Sequence, residues 1–171
     1  MRVQKPPRRV TNAGVNSKGK HAMNEPKNAV GRLEIVVPES AIDLNGHVNN
    51  VQYVQWMQDA AEYHSGLLGW PRARYAALGR HWIIRAHNIE YFHSAFLGQR
   101  IFAETWVADF KRIKSWRKFR FVRPEDGVVL AKAATLFIFC DSASGGPVRI
   151  PPEVIADYPV LGMEAEPELA L

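Results

Sequence analysis

Four segments rich in Ile, Val, Phe, Trp and Thr follow one another at Trp82–His93, Gln99–Phe110, Ser115–Val122 and Val128–Cys140. Turn signals at Ala95–Gly98, Lys111–Lys114 and Pro124–Gly127 separate them. Parallel neighbours need a crossover of a dozen or more residues, and none of these connections is that long. The run is committed to an antiparallel sheet.

Two further elements come first. Leu33–Val37 reads as a short strand ended by Pro38. From about His47 to Leu68, the residues Val48, Val51, Val54, Met57, Ala61, His64 and Leu68 recur at steps of three or four, which marks one apolar helix face. Gly66 and Gly69 weaken its end, and Pro71 opens a shorter helix through about Leu78. One long helix with five strands is an α+β plan, and only the 47–68 helix is long enough to cover the sheet. The last strand is apolar on both faces: Val128, Leu130, Ala134, Leu136 and Ile138 on one, Val129, Ala131, Ala133, Phe137 and Phe139 on the other. One helix covers one face, so a partner subunit is expected.

The 171 residues suit one domain, and 47% hydrophobic with 23% charged residues is a globular balance. Apolar runs fall short of a membrane span. The single cysteine, Cys140, excludes an internal disulfide framework and a multi-cysteine zinc site. The net charge of +5 suggests nucleic-acid binding until it is mapped. Arg2, Lys5, Arg8, Arg9, Lys18, Lys20 and Lys27 stand against Glu25 alone in residues 1–31. Removing them from the totals of 22 and 17 leaves 15 basic and 16 acidic side chains. Residues 1–31 thus read as a disordered basic extension, 32–160 as the domain, and 161–171 as a loose acidic tail. The expected location is cytoplasmic. The Arg-rich, acid-poor extension leaves organelle targeting open, and Met23 offers an alternative start.

The chemistry concentrates in Asp43-Leu44-Asn45-Gly46-His47-Val48-Asn49-Asn50-Val51-Gln52-Tyr53. A carboxylate, an amide and an imidazole stand at steps of two where the long helix is expected to begin. Gly46 permits close approach of a ligand. The expected free N–H groups at Gly46, His47 and Val48, backed by the helix dipole, would hold an oxyanion. Asp, Asn and Gly before a helix are also ordinary cap and turn residues, so spacing alone leaves both readings open.

Asp-x-x-Gly-His-Val-Asn-Asn-x-x-Tyr at the head of a long helix resembles the signature of hot-dog-fold thioesterases, in particular the 4-hydroxybenzoyl-CoA thioesterase group. The likeness runs from about Arg32 to Tyr158 and takes in Ile89-Glu90-Tyr91, Gly98, Lys111 to Ser115, and Arg149-Ile150-Pro151. It implies a hot-dog fold, a five-stranded antiparallel sheet wrapped around one long helix, assembled as a homodimer or homotetramer with active sites between subunits. It also implies hydrolysis of acyl-CoA, with Asp43 as nucleophile or general base. Arg112 and Lys114 would bind coenzyme A phosphates. Asp43-x-Asn45-x-His47 is similar as well to the plastid-type acyl-carrier-protein thioesterases, in which a later Glu takes part, and Glu90 falls on that position. Catalytic candidates are therefore Asp43, Asn45, His47 and Glu90.

The reaction needs few parts. A thiol of pKa ~8.5 leaves readily, so one carboxylate and oriented oxyanion donors suffice, with no metal or redox cofactor required. Rival readings are weaker. The hydratase motif Asp-x-Asn-Pro-x-His needs a proline and one more residue than separates Asp43 from His47. Cys140 with His47 would make a thiolate–imidazole pair, but its apolar strand favours a buried inert thiol. The remaining histidines lack ligand spacing. Seven bases between Lys111 and Arg123, interleaved with Trp116, Phe119 and Phe121, suggest RNA contact, a solvated hairpin face, or the coenzyme A role. A non-catalytic acyl-thioester-binding or scaffold protein on the same fold is the alternative from another class.

Overall fold

The computed structural model describes residues 28–169, so most of the basic extension lies outside the described residues. The strands are β1 (Gly31–Val36), β2 (Arg80–Tyr91), β3 (Arg100–Lys111), β4 (Lys114–Arg123) and β5 (Val128–Asp141). The helices are α1 (Asn50–Leu67), α2 (Arg72–Ala77) and α3 (Pro152–Asp157), with a 3-10 turn at Glu39–Ala41. The five strands form one antiparallel sheet in the order β1-β3-β4-β5-β2. Sequential hairpins join β3, β4 and β5, as their short connections require, whereas β2, likewise close to β3 in sequence, pairs with β5 at the opposite side of the sheet. The architecture is the expected α+β hot-dog arrangement, with α1 as the filling.

The buried face of α1 consists of Tyr53, Trp56, Met57, Ala60, Ala61 and His64. It meets Ile101, Ala103, Phe119, Phe121, Ala131 and Ala133 of the sheet. Each large apolar side chain buried there contributes roughly 1.5–3 kcal/mol. The face is rotated from the expected stripe. Val51 is exposed, because the two aromatics Tyr53 and Trp56 take the core positions.

A second cluster was not legible in sequence. Trp70 and Tyr75 near α2 pack against Val107, Phe139, Ile150, Val154 and Tyr158, closing the end of the sheet beyond the last turn of α1. Helix α3, begun by Pro152, supplies Val154 to it.

The tail also differs from expectation. Leu161 N–H donates to Val107 O at 3.1 Å, and Arg120 Nη1 donates to the carbonyl of the buried Pro167 at 2.7 Å. Glu166 pairs with Lys132 at 3.1 Å. On the sheet face away from α1, Glu104 and Arg120 are buried together, joined by Arg32. A desolvated ion pair needs cover, and the acidic tail supplies it. The tail is therefore anchored as far as Pro167, not loose from residue 161 onward.

Strand β2 is an edge strand, exposed along most of its length, with Ile83 41% and Ile84 38% accessible. Among the described residues no helix is long and apolar enough to cross a membrane.

Candidate functional site

Helix α1 begins at Asn50, not His47, and Asn49 is its N-cap, accepting from Val51 N–H at 3.0 Å. The residues ahead of it form a separate tight turn. Gly46 N–H donates to Asp43 O at 3.0 Å, and Asp43 N–H donates to His47 O at 3.0 Å. Gly46 closes this turn at φ 79°, a left-handed conformation that glycine adopts without steric cost. Residues Ile42 and Val48 bridge across its base.

The turn brings Asp43, Asn45 and His47 together. Asp43 Oδ1 accepts from Asn45 N–H at 2.8 Å, and Oδ2 lies 3.5 Å from Asn45 Nδ2 and 3.8 Å from His47 Nδ1. One carboxylate oxygen is thus held by the backbone, while the other faces the imidazole. The Asp43 side chain keeps 21% of its accessibility and His47 39%, so both remain open to a ligand. The bland turn reading is realised in part, since Asp43 does shape the turn; the cap itself is Asn49.

The expected oxyanion donors need correction. Gly46 N–H is taken by Asp43, Val48 N–H donates to Ala95 O at 2.9 Å, and Gln52 N–H donates to Asn49 O at 2.9 Å. The N–H groups of His47 and Asn50 have no acceptor among the described residues. The cause is the later helix start, which leaves Gly46 and Val48 inside a small hairpin.

Glu90 does not join this set within one chain. Its neighbours Ile89 and Tyr91 face α1: Ile89 packs on the core, while Tyr91 stacks edge-on against Tyr53 and donates from Oη to Asn50 O at 3.2 Å. Strand alternation therefore sends Glu90 to the opposite face, in register with Lys132. Burial, with Tyr91 beside it, pushes the Tyr53 hydroxyl up to about 12, so this phenol stays protonated.

Arg112 and Lys114 are also apart from Asp43. The Asp43 turn hangs on the loop before β3, near Arg100, which pairs with Val36. Arg112 follows the other end of β3, roughly 36 Å along an extended strand. It occupies the hairpin turn at φ 45°, unusual for a side chain of this kind.

The run of seven bases is not one surface. Arg117 and Arg120 are buried, and Arg123 pairs with Asp126 at 2.7 Å. A strand sends alternate residues to opposite faces, so the run cannot form a single basic patch. Cys140 is fully buried at the β2 start, across from His81, and away from His47. Among the described residues no group of His, Cys, Asp and Glu stands arranged for a metal ion.

Sequence reasoning passed over one feature. A cavity of about 530 Å³ opens between α1, α2 and the sheet, at the end away from Asp43, with Arg117 and Ser115 in its lining. The signal was available: Ser115, Arg117, Phe119 and Phe121 share one face of β4, and an arginine there is a cation on a core face.

A family model described as the thioesterase-like superfamily matches residues 36–157. No curated protein matches the chain in sequence. Several solved structures share its fold. One from Lactobacillus plantarum, provisionally described as an oleoyl thioesterase, superposes with a TM-score of 0.73 at 17% identity, covering 82% of this chain and 54% of its own. The DHNA-CoA thioesterase from Staphylococcus aureus gives 0.70 at 21%, over 75% of this chain and 87% of its own. An acyl-ACP thioesterase from Bacteroides thetaiotaomicron gives 0.71 at 19%, over 84% and 59%. The chain spans about half the length of the first of these. At such identities the likeness is one of fold.

Proposed function

The chain belongs to the thioesterase-like superfamily, and from that premise we propose that it hydrolyses acyl-CoA, or an acyl-carrier-protein thioester, with Asp43 as the reacting carboxylate. The observation that carries this reading is the Asp43 turn, where one carboxylate oxygen is fixed by Asn45 N–H and the other is left facing His47.

As nucleophile, Asp43 adds to the thioester carbonyl, the C–S bond breaks, and water then cleaves the resulting anhydride. As general base, it takes a proton from water as the water oxygen adds, and that proton returns to the departing thiolate. Either route develops negative charge on the carbonyl oxygen. The N–H groups of His47, in the turn, and of Asn50, in the first turn of α1, are the donors left free to receive it. His47 and Asn45 orient the carboxylate or the water.

Two copies complete the site. Pairing of the exposed β2 edges about a two-fold axis is antiparallel, so the Asp43 end of one copy meets the Arg112 end of the other. Arg112 and Lys114 would then bind the coenzyme A phosphates of a thioester attacked by the other copy's Asp43. Exposed Leu44, Val51, Phe92, Phe96 and Leu97 surround the Asp43 end, an apolar surface suited to a subunit or an acyl chain. The same reading places the protein in the cytoplasm.

Thiol release measured over acyl-CoAs of graded length, beside the same acyl groups on carrier protein, tests the proposal. Hydrolysis of at least one series is expected. Tight binding without thiol release would instead establish the scaffold reading.

A further inference from the structure

The cavity at the α2 end of the molecule contains a charge that the fold does not neutralise. Trp70, Tyr75, Trp82 and Phe110 form its aromatic walls, the exposed Glu62–Arg72 pair stands in the lining with them, and Arg117 lies there too although only 6% of the residue is accessible. Arg120, the other buried arginine among the described residues, has a carboxylate partner in Glu104, and Arg80 and Arg72 of the cavity lining pair with Asp141 and Glu62. Arg117 has none within 4.0 Å among the described residues.

What Arg117 does contact is neutral. Its Nη1 donates to His64 Nδ1 at 2.9 Å and lies 3.3 Å from Thr105 Oγ1. The Nε and Nη2 donors meet no acceptor among the described residues. The fork that matches a carboxylate in two parallel hydrogen bonds is therefore open on one side. The hydroxyls of Tyr75 and Tyr158 are 2.9 Å apart. Whichever one donates to the other, the acceptor's own proton remains unspent. Burial lowers the Arg117 pKa, but an arginine starts so high that it keeps its charge.

A buried cation without a counter-ion is strongly unfavourable, while a carboxylate arriving with an apolar body would satisfy both the guanidinium and the aromatic walls. The volume lies in the range of small-molecule sites. We propose that this cavity is a binding site for a small organic acid, an aromatic or short aliphatic body ending in one carboxylate, with Arg117 as its anion anchor. The inference does not depend on hydrolysis at Asp43, and it is read by binding alone.

Trp70 and Trp82 in the wall make tryptophan fluorescence the readout. The full chain is titrated with benzoate, phenylacetate and 3-phenylpropionate, each beside its neutral amide, and with inorganic phosphate. At least one acid should quench saturably, with its amide weaker by roughly tenfold or more. Arg117→Gln should remove that preference, while leaving the amide's affinity in place. Should Arg117→Gln fail to fold, the acid-against-amide comparison on the unaltered protein decides by itself. Equal affinity for acid and amide, equal competition by phosphate, or no saturable quenching by any acid would each overturn the proposal.

Discussion

Arg117 donates from Nη1 to Nδ1 of His64 at 2.9 Å, so a buried guanidinium rests on an imidazole that must stay neutral. The other ring nitrogen, Nε2, carries the proton and donates to Asn28 O at 2.8 Å. Burial, and then the Arg117 charge, push the His64 pKa down from 6.5 to about 4, against a smaller opposite effect of the Asn28 bond.

This pair makes stability depend on pH. Between about 4 and 6.5 the unfolded chain binds a proton at His64 that the native chain refuses. Stability is therefore complete above 6.5 and falls as pH drops toward 4, by about 3 kcal/mol in all. His87, lowered by partial burial, acts in the same direction. Denaturant midpoints between pH 8 and 4.5 should decline for the unaltered protein. His64→Gln, which can still accept from Arg117 and donate to Asn28, should flatten most of that slope; an unchanged slope would remove His64 from the account.

Gly31 opens β1 directly against the same histidine. A Cβ there would lie 2.5 Å from His64 Cβ, a stem atom with no freedom to swing away. Gly31→Ala should therefore cost roughly 1–3 kcal/mol through overpacking, read as a lower Tm. A Tm equal to that of the unaltered protein would mean the strand can retreat from the helix.

The fold was largely legible because its signals are local. Short connections fix the β3–β4 and β4–β5 hairpins, and the helix period is read from neighbours in sequence; the pairing of β2 with β5 rather than β3 is long-range and was not legible. The tail was not legible, since its anchor is the Glu104–Arg120 pair, which only strand pairing brings together. The start of α1 is ambiguous in sequence because both Asp43 and Asn49 carry cap-like side chains, and the hairpin from Ile42 to Val48 decides between them. Asp43, Asn45 and His47 came together because they sit within one turn. Glu90 did not, because a strand's facing depends on pairing that one position cannot reveal. In sequence Arg117 reads as one base of seven, and only its place on the Phe119–Phe121 face distinguishes it.

The β2 edge provides the test of assembly. If two copies join there, Ile83→Lys places two like charges near the axis and should yield monomers in sedimentation. Turnover of acyl-CoA should fall with the dimer, because Arg112 and Asp43 would no longer share a site. A fully active monomer of the unaltered protein at micromolar concentration would refute the composite site.

The two carboxylates are expected to separate sharply. Asp43→Asn retains the Asn45 N–H contact through its amide oxygen, so the turn should persist while kcat falls by orders of magnitude. Glu90→Gln, on the other sheet face, should leave kcat within a few-fold. The reverse order would move the chemistry to Glu90. Near-normal turnover in both would reject carboxylate catalysis altogether.

Arg112 allows function and stability to be pulled apart. At φ 45° it takes the first position of a two-residue hairpin turn, where glycine avoids the steric conflict of a Cβ. Arg112→Gly should therefore hold or raise stability, by up to about 1 kcal/mol, even though a side chain is removed. If the guanidinium binds coenzyme A phosphates, the same change should raise KM for acyl-CoA and weaken its dependence on salt. Hydrolysis of an acyl-pantetheine thioester, which lacks the nucleotide, should be unchanged. Opposite movement of Tm and acyl-CoA affinity would mark Arg112 as a residue kept in an unfavourable backbone position for its charge. A fall in Tm together with equal losses on both thioesters would mean the turn needs Arg112 for folding, and the phosphate contact would have to be sought elsewhere.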